Sequence, residues 1–314
     1  MNDLKLIFFG TPEFAVNSLH EINLKYKVNC VVTSPDKKSG RGQKIMQSEV
    51  KKYAKENNIT TLQPDNLNDK EFVNQIQSIN PDIIIVVAFR KLPVEIFSIP
   101  KYGTINLHAS LLPNYRGAAP INWCLINNEL KTGVTTFFIN EKIDQGDILL
   151  KKEVNISSDD NFGSLHDKLS IVGSRLLVKT IRGVTSNSIN PSRQAFNGKF
   201  KIAPKLSKNN TRINWNKSEK YIIGMIKGLS PKPGAWTILK NGDKEIRMKI
   251  LEAEKVNGFS TKEVGKIVIS NGEIHICNGI DIINCTVVQL ANKRVMDAKE
   301  LINGLKLYEN SHVY

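Results

Sequence analysis

The chain has 314 residues, of which 40% are hydrophobic and 24% charged, with a formal net charge of +14. Such a length exceeds one ordinary core and implies two domains, the composition argues against long disorder, and the charge suggests a polyanionic partner, whether nucleic acid, an acidic ligand or a membrane surface. Cys30, Cys124, Cys277 and Cys285 form no C-x-x-C pair, which argues against a zinc motif or a disulfide framework and for a reducing compartment.

Residues 4–9 form a short apolar run closed by Gly10-Thr11-Pro12, residues 14–22 carry apolar side chains at helical spacing, and residues 28–33 read as a second strand. Strand, tight turn, helix and strand make a βαβ unit, whose parallel sheet places ligands beyond the carboxyl ends of its strands. The first turn carries neither G-x-G-x-x-G nor G-x-x-x-x-G-K-[ST], so no nucleotide-phosphate loop is announced. Residues 34–47 (S-P-D-K-K-S-G-R-G-Q-K-I-M-Q) read as a loop with Lys37, Lys38, Arg41 and Lys44 against Asp36 alone. It is either a solvated loop or a phosphate-contacting arm. A charged helix over 48–57, a strand over 59–63 and a helix opening near Asn68 and Asp69 and running to Ile79 follow. Residues 82–87 (D-I-I-I-V-V) are the continuous apolar run of a strand covered on both faces.

The chemistry concentrates between residues 103 and 150. If residues 104–108 are a strand, its period of two sets Asn106 and His108 on one face and Leu107 on the other. Ser110-Leu111-Leu112-Pro113 then reads as a loop, residues 118–127 as a helix and 133–139 as a β-rich run leading to Ile143-Asp144-Gln145-Gly146-Asp147. A histidine that moves protons, an asparagine that donates to developing charge and an aspartate beside them suit acyl transfer without a covalent enzyme intermediate. Asp144 either orients His108 or takes a proton through water.

Residues 148–154 read as a further strand, and Leu165, Leu169, Val172 and Leu176 as the packed stripe of a helix. The sequence turns polar from Val184 to Asn210, with Asn190-Pro191, Asn197-Gly198 and Ala203-Pro204 as turn signals. A helix over about 218–228 and short strands over 235–239, 246–253, 265–269, 274–277 and 286–290 suggest a small barrel. The expected division is 1–189, a linker at 190–210, and 211–314. No run approaches a membrane span, and Met1-Asn2-Asp3 precedes the first strand with no basic, apolar signal region, so a cytoplasmic location is expected.

The string N-L-H-A-S-L-L-P-N-Y-R-G-A-A-P, followed by G-V-T-T-F-F-I-N-E-K-I-D-Q-G-D-I-L, resembles the signature of the formyltransferases that use 10-formyltetrahydrofolate. The Y-R-G-A-A-P continuation and the rest of the chain resemble the members acting on methionyl-tRNA. The resemblance implies an α/β fold, with an N-terminal Rossmann-like parallel-sheet formyltransferase domain and a C-terminal OB-like small β-barrel for tRNA. It further implies formyl transfer from 10-formyltetrahydrofolate to the α-amine of methionyl-initiator tRNA, by a monomeric enzyme needing no metal, with Asn106, His108 and Asp144 catalytic. F-F-G-T-P-E-F-A would set Gly10, Thr11 and Pro12 near the aminoacyl end, and the basic insertion with Lys37, Lys38, Arg41 and Lys44 on the acceptor stem.

The folate would lie along Phe89, Arg90 and Leu92 and be held by Ser110, Leu111, Leu112, Pro113 and Asp144. Phe89-Arg90 departs from the commoner Tyr-Gly pair, so only the location of that contact carries over. Arg116 is counted with the substrate-contacting residues. Lys293 and Arg294, in a segment resembling the family's closing pattern, either contact phosphates or form a solvated turn. Another folate-dependent N-formyltransferase, acting on a sugar nucleotide or glycinamide ribonucleotide, would use the same three catalytic residues. An RNA-binding protein on a degenerate enzyme scaffold is the rival from another class.

Overall fold

A computed structural model describes residues 4–39, 44–195, 198–256 and 262–314. By its contacts the chain divides into two compact units, each discontinuous in sequence. One comprises Met1–Gly117, Lys131–Asn155 and His166–Ile202, the other Ala118–Leu130, Ile156–Leu165 and Ala203–Tyr314.

The first unit is built on a seven-stranded sheet in the spatial order Ile148–Asn155, Lys131–Phe138, Thr104–His108, Ile83–Val87, Leu6–Gly10, Cys30–Val32, Thr60–Leu62. The last five run parallel, in the order of the first five strands of a doubly wound dinucleotide-binding sheet, 3-2-1-4-5. The first two pair antiparallel and add an antiparallel edge to the expected parallel sheet. Hydrophobic periodicity marks a strand but not its direction, and here a connection of the antiparallel kind follows the fifth parallel strand. Leu6–Gly10 and Ile83–Val87 are buried along their whole length, as apolar runs with covered faces must be. Ile7, Phe9, Ile84 and Val86 pack with Phe72 and Ile76 of the Lys70–Ile79 helix. Its N-cap is Asp69, whose carboxylate accepts from the Glu71 amide.

Residues 34–47, read as a loop, instead contain a short antiparallel ladder of Lys37–Ser39 with Lys44–Met46. Three-residue strands are too short for an alternation to stand out in the sequence. Arg41 lies outside the described residues. The base of the ladder is tied down: Lys51 Nζ donates to Asp36 at 2.7 Å, and Gln63 Nε2 donates to Asp36 and to the Ser34 carbonyl, each at 2.8 Å. The Lys51 hydrogen bond, then that of Gln63, hold the Asp36 carboxyl below its ordinary value. This anchor therefore holds at neutral pH and is lost only in acid.

The second unit carries an antiparallel sheet in the order Ile267–Ser270, Glu273–Cys277, Ile282–Leu290, Lys244–Val256, Ala235–Asn241, His312–Val313, with Met296–Asp297 beside Ile282–Leu290. The Val313 amide donates to the Gly265 carbonyl, and Lys266 bridges His312. The last strand thus lies against the start of the first and nearly closes a barrel. Trp215, Ile222, Met225, Ile226, Met248, Ile250, Ile283 and Val288 fill its core. The closing strand and the Ala298–Gly304 helix, opened by a capping box of Asp297 and Glu300, were not read as elements from the sequence. The first is two residues long and the second two turns.

Candidate active site

The Thr104–His108 strand ends at the carboxyl edge of the first unit's parallel sheet, where doubly wound sheets bind ligands. Its pleat sends Leu107 to the opposite face, where a Cβ added at Gly173 would come within 2.7 Å of the leucine methyl. The Phe162–Thr185 helix therefore approaches that face closely. Asn106 and His108 share the other face, Asn106 half-buried and His108 7% exposed.

His108 Nε2 lies 2.8 Å from the Tyr115 carbonyl oxygen. A carbonyl only accepts, so the proton belongs on Nε2 and Nδ1 is the nitrogen left for exchange. Nδ1 stands 3.8 Å from Asp144 Oδ2, with the aspartate side chain 10% exposed. A protonated ring thus faces an acceptor at each nitrogen. Asp144 Oδ2 also accepts from the Gly117 amide at 2.9 Å. Asp144 sits at φ 54°, a left-handed conformation that aspartate tolerates better than most residues.

The turn carrying Asp144 is held from several sides. Arg116 Nε donates to the Asp144 carbonyl at 3.0 Å and to Gln194 Oε1 at 3.1 Å. Gln194 Nε2 donates to the carbonyls of Asp144 and Gly146, at 3.0 and 2.8 Å. Ser192 and Ile148 exchange backbone hydrogen bonds just beyond. Burial lowers the Arg116 guanidinium from its ordinary value, opposed by the charge of Asp144. Arg116, counted on the substrate side from sequence, also supports the Asp144 loop.

A Cβ built on Gly146 would overlap the carbonyl oxygen of Phe138. Gly146→Ala is therefore expected to destabilise the protein by about 1–3 kcal/mol, as overpacking does, and to lower turnover by shifting Asp144. Thermal unfolding beside a kinetic assay checks both.

Ser110-Leu111-Leu112-Pro113 is fixed through the buried Thr135, whose hydroxyl donates to the Ser110 carbonyl at 2.6 Å and accepts from the Leu112 amide at 3.2 Å. Ser110 Oγ donates to the Asn114 carbonyl at 2.7 Å, and Lys151 Nζ donates to that of Leu112. Beyond the Ile83–Val87 strand, Phe89 meets Phe9 edge-on at 5.4 Å, and Leu92 is buried. Arg90 donates to the carbonyls of Pro64 and Asp65. Its side chain is engaged by backbone, and with Asp65, Asn66, Lys91 and Pro93 it lines an open cavity of about 350 Å³.

Gly10 ends the first strand and Thr11 and Pro12 lead out of it, where the Pro12 carbonyl receives the Ala15 amide. Lys37 is exposed, and Lys38 and Lys44 lie on the short ladder. In the second unit Lys293 and Arg294 are exposed, and Arg294 pairs with Glu300. An exposed pair of that kind contributes little to stability.

Sequence reasoning missed Gln194, Thr135, Lys151, the Tyr115 carbonyl and the Gly117 amide as parts of the site. The last two fall inside the quoted motif but act through backbone, which residue identity does not reveal. Gln194 lies in the polar stretch read as a linker and carried no signal. Among the described residues no helix is long and apolar enough to cross a membrane.

A family model described as "Formyl transferase" matches residues 4–181, and one described as "Formyl transferase, C-terminal domain" matches 205–306. The chain is 45% identical over 315 residues to the methionyl-tRNA formyltransferase of Flavobacterium johnsoniae, covering 100% of both chains. Among solved structures it superposes with a TM-score of 0.63 on an N-formyltransferase from Helicobacter canadensis in complex with folinic acid and dTDP-3-aminofucose. That match has 22% identity and covers 90% of this chain and 99% of that one. A variant of HypX from Aquifex aeolicus superposes at 0.65 with 15% identity, covering 98% of this chain, which spans 49% of that longer protein. The two superpositions show a shared fold.

Proposed function

The chain belongs to the methionyl-tRNA formyltransferase family, and from that premise we propose that it transfers the formyl group of 10-formyltetrahydrofolate to the α-amine of methionyl-initiator tRNA. The observation that carries the chemistry is the convergence of Asn106, His108 and Asp144 at the end of one parallel strand, with His108 poised between two acceptors. In this reading residues 1–189 perform the reaction and 211–314 hold the tRNA. Residues 190–210 join them and lend Gln194 to the site. The protein works as a monomer in the cytoplasm.

The amine nitrogen attacks the formyl carbon, forming the new C–N bond and turning the carbonyl oxygen into an oxyanion. The Asn106 amide and the protonated His108 ring donate to that oxygen. Collapse breaks the bond between the formyl carbon and N10 of the folate. The amine gives up one proton and N10 gains one, and the imidazole relays it. Nδ1 is the nitrogen assigned this work because Nε2 is engaged by Tyr115. Asp144 holds the ring and faces its positive charge.

The folate lies between the Phe89–Leu92 loop and Ser110-Leu111-Leu112-Pro113. The basic ladder meets the acceptor stem. Arg41→Ala is expected to raise KM for the tRNA, leave KM for the folate unchanged, and reduce the slope of log KM against log salt by about one unit, as loss of one phosphate contact does. Initial rates over a salt series check it.

Acceptor choice tests the assignment. Formyl label is expected on methionyl-initiator tRNA and not on uncharged tRNA or a 4-amino-4-deoxypentose nucleotide; label confined to the sugar would overturn the tRNA reading.

A further inference from the structure

Asp144 has little of its own to keep it in place. Its residue adopts φ 54°, its carboxylate receives one backbone amide, and the chain around it has no regular structure. What fixes the turn is Gln194, 3% exposed and 50 residues further along. Its amide nitrogen donates to the carbonyls of Asp144 and Gly146 at 3.0 and 2.8 Å, and its oxygen accepts from Nε and a terminal nitrogen of Arg116 at 3.1 and 2.5 Å. The orientation of the amide is dictated by its neighbours. Turned over, it would set an oxygen against two carbonyls and an NH₂ group against a guanidinium.

Arg116 itself donates to the Asp144 carbonyl and precedes Gly117, whose amide holds the carboxylate. Tyr115, the residue before it, supplies the carbonyl that receives His108 Nε2. One glutamine side chain therefore ties the backbone bearing the aspartate to the segment that orients the histidine. Buried amides with every donor and acceptor engaged fix geometry in this way.

We infer that Gln194 is a positioning residue for formyl transfer: through Arg116 and the carbonyls of Asp144 and Gly146 it sets the spacing between Asp144 and His108. The inference rests on the proposed roles of those two residues. A displacement of about 1 Å at a reacting group can cost on the order of 10²-fold in rate. Binding of the tRNA acceptor stem, which depends on other surfaces, should change little.

The test is steady-state formyl transfer by the full chain carrying Gln194→Leu, Asp144→Asn, or both. Gln194→Leu is expected to lower kcat by roughly 10- to 100-fold, with KM for the tRNA within about twofold. In the Asp144→Asn background it should cost under about threefold more, because the group it positions is already disabled. Gln194→Glu keeps an acceptor for Arg116 and loses both donations; it should also lower kcat, and it serves if the leucine variant does not fold. A normal kcat in a folded Gln194 variant, a change confined to KM, or a full multiplicative loss in the double variant would overturn the inference while leaving the proposed chemistry standing. Wild-type turnover by Asp144→Asn would instead remove the aspartate from the reaction, and the role of Gln194 with it.

Discussion

His108→Ala is expected to lower kcat for formyl transfer by about 10²- to 10⁴-fold, the usual contribution of a positioned acid or base, while the protein stays folded. The ring's two neighbours are a backbone carbonyl and a carboxylate held by Gly117. Removing it leaves the Tyr115 carbonyl without that donor, a cost of about 1–3 kcal/mol in a buried setting. Circular dichroism and thermal unfolding separate that loss from the catalytic one. KM for tRNA should stay near the wild-type value, because the loss falls on proton movement and charge stabilisation. A single-turnover assay, which isolates chemistry from product release, is the measurement of choice.

Asn106→Ala should cost about 10²- to 10³-fold in kcat, the effect of removing one donor from an oxyanion site. The side chain is half-buried on the face it shares with His108, so its removal leaves no large cavity in the core. The pH dependence of kcat separates it from His108. An asparagine moves no proton, so Asn106→Ala should lower the whole profile while preserving its shape. Loss of His108 should change the shape of the profile, because a group that moves the proton is removed. Parallel pH profiles of the two variants across the neutral range check the distinction.

The sequence made some of this site legible for definite physical reasons. The pleat of a strand puts Asn106 and His108 on one face whatever surrounds them, so their pairing follows once residues 104–108 are read as a strand. Asp144 joined them through the quoted motif rather than through local pattern, since no periodicity links a turn to a strand 36 residues earlier. Gln194 stayed hidden because a buried amide in a polar stretch looks like any other linker residue. Its meaning comes from the Ser192–Ile148 pairing that returns the chain to the sheet edge. Arg116, counted with the substrate-contacting residues, also has a structural part that its identity does not announce: its donors satisfy a loop carbonyl and a glutamine. The antiparallel edge of the sheet and the two-residue strand that closes the barrel were beyond reach, because direction and very short pairings are set by tertiary contacts.

The measurement that bears most directly on the central claim is identification of the aminoacyl product. Charged initiator tRNA is incubated with 10-formyltetrahydrofolate and either the wild-type chain or folded Asp144→Asn, then hydrolysed, and the released amino acid is analysed by mass. The wild type should release N-formylmethionine, and the variant should form it at least about 10²-fold more slowly, in line with loss of an acid–base partner. Unmodified methionine from the wild type, or N-formylmethionine from the variant at the wild-type rate, would contradict formyl transfer at this site.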